Sequence, residues 1–158
     1  MTPRATAPSL DILVQSPLWN DQPAAEQTVR DAVIAAAART KASGEVSVVL
    51  TDDVAIRALN KQWRKIDKAT NVLSFPAAKN AGMLGDVVIA YETLQRECAE
   101  EDRVFLHHLS HLSVHGFLHL MGYDHETDAE ADSMERLEIE ILEGLGVPDP
   151  YLGRERRD

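Results

Sequence analysis

The chain has 158 residues, a formal net charge of -10, and apolar and charged fractions of 44% and 27%. These values fit one soluble domain with a substantial core, and they exclude a disordered or fibrous chain. No apolar run approaches the roughly 20 residues of a membrane span, so no membrane role is expected.

The first eight residues lack the apolar core of a secretory signal. Cys98 is the only cysteine, which rules out an internal disulfide and points to a reducing compartment, by default the cytoplasm. Its role is read as that of a structural thiol. In chain order, residues 10–15 read as a first strand. Residues 24–40 are alanine-rich with apolar Val29, Val33, Ile34 and Ala37 at helical spacing, and Pro23 suits the first turn. Residues 46–50 form a buried strand. Thr51 or Asp52 can cap a helix reaching about Trp63. Residues 72–75 make a short strand stopped by Pro76, and 84–90 another, followed by a helix over about 92–100. A long helical pattern covers 104–121 and ends at Gly122. Thr127 to Glu130 is a capping-box signature for a last helix to about Leu145. The expectation is a single α+β domain over 1–158, a small mixed sheet packed against several helices. Its ends, about 1–8 and 152–158, are expected to be flexible, with the basic tail at 154–157 a solvated terminus.

The densest chemistry lies in HGFLHLMGYDH, residues 115–125. His115, His119 and His125 have the spacing H-x3-H-x5-H with a glycine three residues after the second histidine, as in the metzincin proteases. His115 and His119 lie one turn apart on one helix face, and the turn at Gly122 lets His125 return as a third corner. Three imidazoles and an open position suit one catalytic zinc ion per chain on a metalloprotease-like helix. Imidazole donors favour zinc over magnesium. His111 is read as supporting the ligands or facing substrate. Asp124 is read as a cap for the following helix, as an orienting group, or as a proton acceptor. Gly116 stands where the metzincins carry their general-base glutamate.

That absence shifts the expected reaction. Peptide hydrolysis must protonate a poor amine leaving group, whereas phosphodiester cleavage gathers negative charge that cations must stabilise. Zinc brings a bound water to a pKa of about 7 without a strong protein base. The acidic balance argues against a general nucleic-acid binder, and no DNA partner is expected. Charge is unevenly distributed, however. Nine acids and one base, Arg136, occupy residues 124–143, while Arg57, Lys61, Arg64, Lys65 and Lys68 face one acid, Asp67. Arg64 is a planar phosphate donor, and Lys61, Lys65 and Lys68 could line a basic groove for substrate. Its neighbour Trp63 is read mainly as a core residue, with base stacking as the alternative.

The segments LNKQWRKIDKATNVLSFP, LGDVVIA and HLSVHGFLHLMGYDH, in that order, resemble the YbeY family of bacterial endoribonucleases over about residues 45–145. The resemblance implies His115, His119 and His125 as zinc ligands and Arg64 as the catalytic arginine. It also matches Asp86 to an acidic position of the family, in support of the site or of a turn. It further implies cleavage of single-stranded RNA in ribosomal RNA maturation, notably at the small-subunit 3′ end, and in ribosome quality control. The implied partners are the small ribosomal subunit, its proteins and an assembly GTPase. Two other readings stand beside it: a non-enzymatic assembly factor with a structural zinc, and a metalloprotease.

Overall fold

The computed structural model describes residues 8–78 and 82–152; the basic tail and nearly all of the two expected flexible ends lie outside them. Among the described residues the elements are β1 (Ser9–Val14), α1 (Ala25–Thr40), β2 (Glu45–Thr51), α2 (Asp53–Arg64), β3 (Val72–Pro76), β4 (Met83–Ala90), α3 (Tyr91–Glu101), α4 (Phe105–Leu120) and α5 (Asp128–Gly144). The strands form one sheet in the order β1-β2-β4-β3, with β3 antiparallel to β4 and the other pairs parallel. This is the expected α+β fold with a mixed sheet.

Caps account for several boundaries. The Asp52 side chain accepts from the Ala55 amide at 2.9 Å and starts α2. Thr127 and Glu130 form both halves of a capping box at the start of α5. Two local features depart from the expectation. A 3-10 turn over Pro17–Asp21 precedes α1 and buries Trp19, whose indole donates to the Thr51 carbonyl at 2.8 Å. Pro23 lies before α1 rather than in its first turn.

Period-two alternation divides the core between the two sheet faces. Val46, Val48, Leu50, Val87 and Ile89 pack with α1, α4 and α5. Leu73, Val88 and Ala90 face the other way and pack with Ile56 and Leu59 of α2. Within the larger core, α4 is covered almost completely. From 108 to 120 every residue is buried except His111, His115 and His119.

A polar cluster ties α3, α4 and the start of β3 together. The Glu97 carboxylate takes His108 Nε2 at 2.8 Å and Asn71 Nδ2 at 3.0 Å. Burial pushes its pKa up, but the His108 and Asn71 hydrogen bonds outweigh that, and the net shift is downward. Cys98, on the same helix, is buried, and burial raises its thiol to about 11, as suits an inert structural cysteine. A carboxylate with a lowered folded-state pKa contributes stability above its unfolded value, and that stability is lost as the pH falls through the folded one. The stability advantage of the wild type over Glu97→Gln should therefore be full near neutrality and shrink below about pH 4.5. Urea denaturation across that range measures it, and a pH-independent difference would contradict the assignment.

Candidate active site

His107, His111, His115 and His119 recur every four residues and form one ridge along α4. The helix ends in a Schellman turn. The Tyr123 amide donates to the Leu118 carbonyl at 3.0 Å and the Gly122 amide to that of His119 at 3.1 Å, with Gly122 at a φ of 94°. That reversal carries His125 back over the end of the ridge.

One ring nitrogen from each of His115, His119 and His125 lies within 4.8 Å of the other two. Ring centroids are separated by 4.6 Å (115 to 119), 5.1 Å (119 to 125) and 5.9 Å (115 to 125). His115 Nε2 and His119 Nε2 face each other at 3.1 Å. Two ligands about 2.0–2.1 Å from a tetrahedral ion sit about 3.3 Å apart, so the pair fits a shared cation. Burial, then the neighbouring His115 and His125, lowers the pKa of His119, which keeps a lone pair available near neutrality. The cluster can therefore hold a metal ion. A cleft of about 330 Å³ opens beside it, lined by His115, His125, Asp128, Met134, Glu135 and Glu138.

Glu138 is the site residue that sequence reasoning missed. It is fully buried on α5, on the apolar stripe of Ala131, Met134, Ile141 and Leu142. Its Oε2 receives His111 Nε2 at 2.9 Å and His115 Nδ1 at 3.0 Å, and its Oε1 receives the Tyr151 hydroxyl at 2.8 Å. Burial pushes this carboxyl up, yet the two histidine hydrogen bonds bring it down to about 2. His111 is itself lowered, first by burial; a neutral ring still donates through Nε2–H. His111 thus supports Glu138 and does not line the cleft. The donors of His111, His115 and Glu138 are also close enough for a cation. A neutral His115 ring, however, has a single lone pair, so while Nδ1–H is donated to Glu138 only Nε2 can ligate, and the second group then acts as a hydrogen-bonded cluster. A carboxylate in register with an apolar stripe was the available signal; it was hidden among nine acids read as one charged block.

The basic residues stand elsewhere. Arg64 closes α2, on the sheet face opposite α4. Its side chain makes no hydrogen bond or ion pair among the described residues. The two helices nevertheless end near the same part of the sheet. Trp63 lies edge-on to Phe75 of β3, with ring centroids 6.3 Å apart. Phe75 pairs with Asp86, next to Gly85, and a Cβ built on Gly85 would meet Leu120 of α4. The triad and Arg64 therefore flank one end of the β3–β4 pair from opposite faces. Lys61 lies 3.9 Å from Asp67, which Arg57 engages at 2.8 Å. Lys65 Nζ donates to the Gln62 carbonyl at the end of α2, and the Lys68 carbonyl accepts from Asn60 Nδ2.

Position bears on three expectations. Trp63 is 63% exposed, so it is not a core residue; Ile56 and Leu59 of α2 face the sheet instead. Asp124 does not cap α5, because Thr127 does; its Oδ1 accepts the His125 amide at 2.7 Å. Asp86 alternates with Val87 and so lies on the α2 face, away from α4.

A model of the family described as Endoribonuclease YbeY matches residues 15–146. The chain belongs to the YbeY endoribonuclease family. An Endoribonuclease YbeY of Bradyrhizobium sp. strain BTAi1 is 55% identical, with 99% of each chain covered. One from Rhodopseudomonas palustris strain BisB18 is 52% identical, covering 97% of this chain and 98% of that one. The solution structure of TM1509 from Thermotoga maritima, 22% identical, superposes with a TM-score of 0.60 over 94% of this chain and 99% of its own, and so shares the fold. The region matched to the YbeY model holds Arg64, the three histidines and Glu138, and leaves Tyr151 outside.

Gly116 is explained by packing. A Cβ there would come within 2.6 Å of Val87 Cγ1, and the Ser74 hydroxyl donates to the Gly116 carbonyl at 2.9 Å. The position after the first histidine faces the sheet, so a glutamate could neither fit there nor reach the cleft. Gly116→Ala should cost about 1–3 kcal/mol by overpacking, despite the better helix propensity of alanine. Urea denaturation tests this, and an unchanged midpoint would show that α4 does not press on β4.

Proposed function

We propose that this chain is a zinc-dependent, single-strand-specific endoribonuclease of the cytoplasm. It acts in ribosomal RNA maturation, including the small-subunit 3′ end, and in ribosome quality control. The observation that carries the reading is the convergence of three ring nitrogens beside an open cleft in a chain of the YbeY endoribonuclease family. The ribosomal role, with the small subunit, its proteins and an assembly GTPase as partners, rests on the family resemblance.

His115, His119 and His125 would hold the ion through one ring nitrogen each. Bound there, zinc supplies Lewis acidity toward a phosphoryl oxygen and toward water. Imidazole ligands favour zinc over magnesium, which prefers oxygen. Arg64 stabilises the charge that gathers on the phosphoryl oxygens, through its planar pair of donors. For one phosphate to meet both groups, the RNA strand crosses the β3 edge of the sheet. Lys61, Lys65 and Lys68 neutralise flanking phosphates, and the exposed Trp63 ring offers a base a stacking surface. A flexible single strand can follow such a path, whereas a stiff duplex cannot. The candidate proton acceptors are Asp124, whose Oδ1 accepts the amide of His125, Asp86 on the α2 face, and the cleft-lining Asp128 and Glu135.

Zinc-loaded protein should cut single-stranded RNA, and chelation should abolish cutting. Arg64→Ala should lower kcat on the order of 10²- to 10³-fold. Equal cleavage by all three samples would overturn the mechanism. Trp63→Ala should raise KM and leave kcat largely intact, because a base stack worth about 1–3 kcal/mol is lost in ground state and transition state alike. A fall in kcat at unchanged KM would instead place Trp63 at the reacting phosphate.

The acidic wall of the cleft, Asp128 and Glu135, favours a second reading, a zinc-holding assembly factor without catalysis. A His115 or Arg64 variant that still supports ribosome maturation in cells would favour it.

A further inference from the structure

A fully buried carboxylate is costly to keep, and an apolar side chain of similar size in its place is often neutral or stabilising. Glu138 occupies such a position, between Met134 and Ile141 on the buried stripe of α5. Packing does not explain it; its partners do. An ionised carboxylate only accepts hydrogen bonds, so each ring nitrogen facing Oε2 must carry a hydrogen. His115 Nδ1, at 3.0 Å, is therefore the protonated nitrogen of that ring. In the neutral imidazole the other nitrogen, Nε2, is then left with its lone pair, and Nε2 is the atom that faces His119.

We infer that Glu138 is a positioning residue for the metal site: it sets the tautomer of His115, so that the Nε2 lone pair points at the space shared with His119 and His125. The carboxylate is itself aimed by two further donors, His111 Nε2 on Oε2 at 2.9 Å and the Tyr151 hydroxyl on Oε1 at 2.8 Å. The arrangement is a carboxylate–histidine pair behind a ligating nitrogen, which also makes the ligand more basic. The inference rests on the metal-site reading above.

Two measurements test it. Ring 15N spectra of metal-free wild-type protein at mildly alkaline pH should show His115 protonated at Nδ1 and bare at Nε2. The opposite tautomer overturns the inference without any variant. Zinc affinity, measured by competition with a chelator, should then fall about 10- to 100-fold in Glu138→Gln and Glu138→Met. Glu138→Met should meanwhile keep or raise the stability of the metal-free protein, a combination that a merely structural role does not produce. Tyr151→Phe, which strips a hydrogen bond from the carboxylate and leaves His115 paired, should weaken zinc less than either. Wild-type zinc affinity in both Glu138 variants overturns the inference and leaves the metal site standing. Failure of the wild type itself to bind zinc overturns the metal reading and this inference with it.

Discussion

Helix α4 is apolar nearly all the way round, and a helix of that kind must be covered on nearly every side. The sheet takes one flank, α1 another and α5 a third, and each is held by the apolar area it shields from water. Beyond its first turn, coverage stops only at the line of His111, His115 and His119. The same packing that stabilises the domain therefore decides where its polar chemistry can surface. It also makes the ridge rigid, because His115 and His119 stand on the most buried helix of the fold, and rigid supports hold donor geometry better than loops do. Gly116 shows how tight the constraint is. The helix approaches β3 and β4 so closely at this point that no side chain fits.

The likeness to the protease motif has a physical origin in the helix repeat. Two imidazoles four residues apart share a face, and a glycine in the left-handed conformation turns the chain so that a third can join them. Any chain that needs three nitrogens around one ion can use this solution. The residue after the first histidine is under a separate constraint, set here by the sheet beneath it. A base cannot be mounted at 116, and chemistry that leans on cations rather than on a carboxylate shuttle is the natural companion of such a helix.

Charge is segregated to suit two different ligands. The α5 wall of the cleft contributes Asp128, Glu135 and the buried Glu138, a surrounding that favours a cation and disfavours phosphate. The basic stretch at the end of α2 lies on the other sheet face, with Asp67 neutralising part of it. On the function proposed above, an RNA strand engaged with both would bend around the edge strand, and the acidic balance of the whole chain limits non-specific attraction elsewhere.

Much of this was legible in the sequence because it depends on local rules. The strands, the helices, the capping box at Thr127 and the stop at Gly122 arise from periodicity and backbone preference among nearby residues. The grouping of His115, His119 and His125 is local as well, since one helix and one turn bring them together. Other features were decided only in three dimensions. The 3-10 turn of Trp19 depends on a carbonyl thirty-two residues away, at Thr51. Trp63 reads as core until the sheet meets α2 through Ile56 and Leu59 and leaves the indole outside. Glu138 looks like one acid among nine until α5 packs on α4, burying it against His111 and His115. The face on which Arg64 stands is set by strand order, which no single segment encodes. Local chemistry determined which groups could bind a metal; long-range packing decided which carboxylate stands behind them and which cations lie across the sheet, because burial is a property of the partners an element meets and not of its own residues.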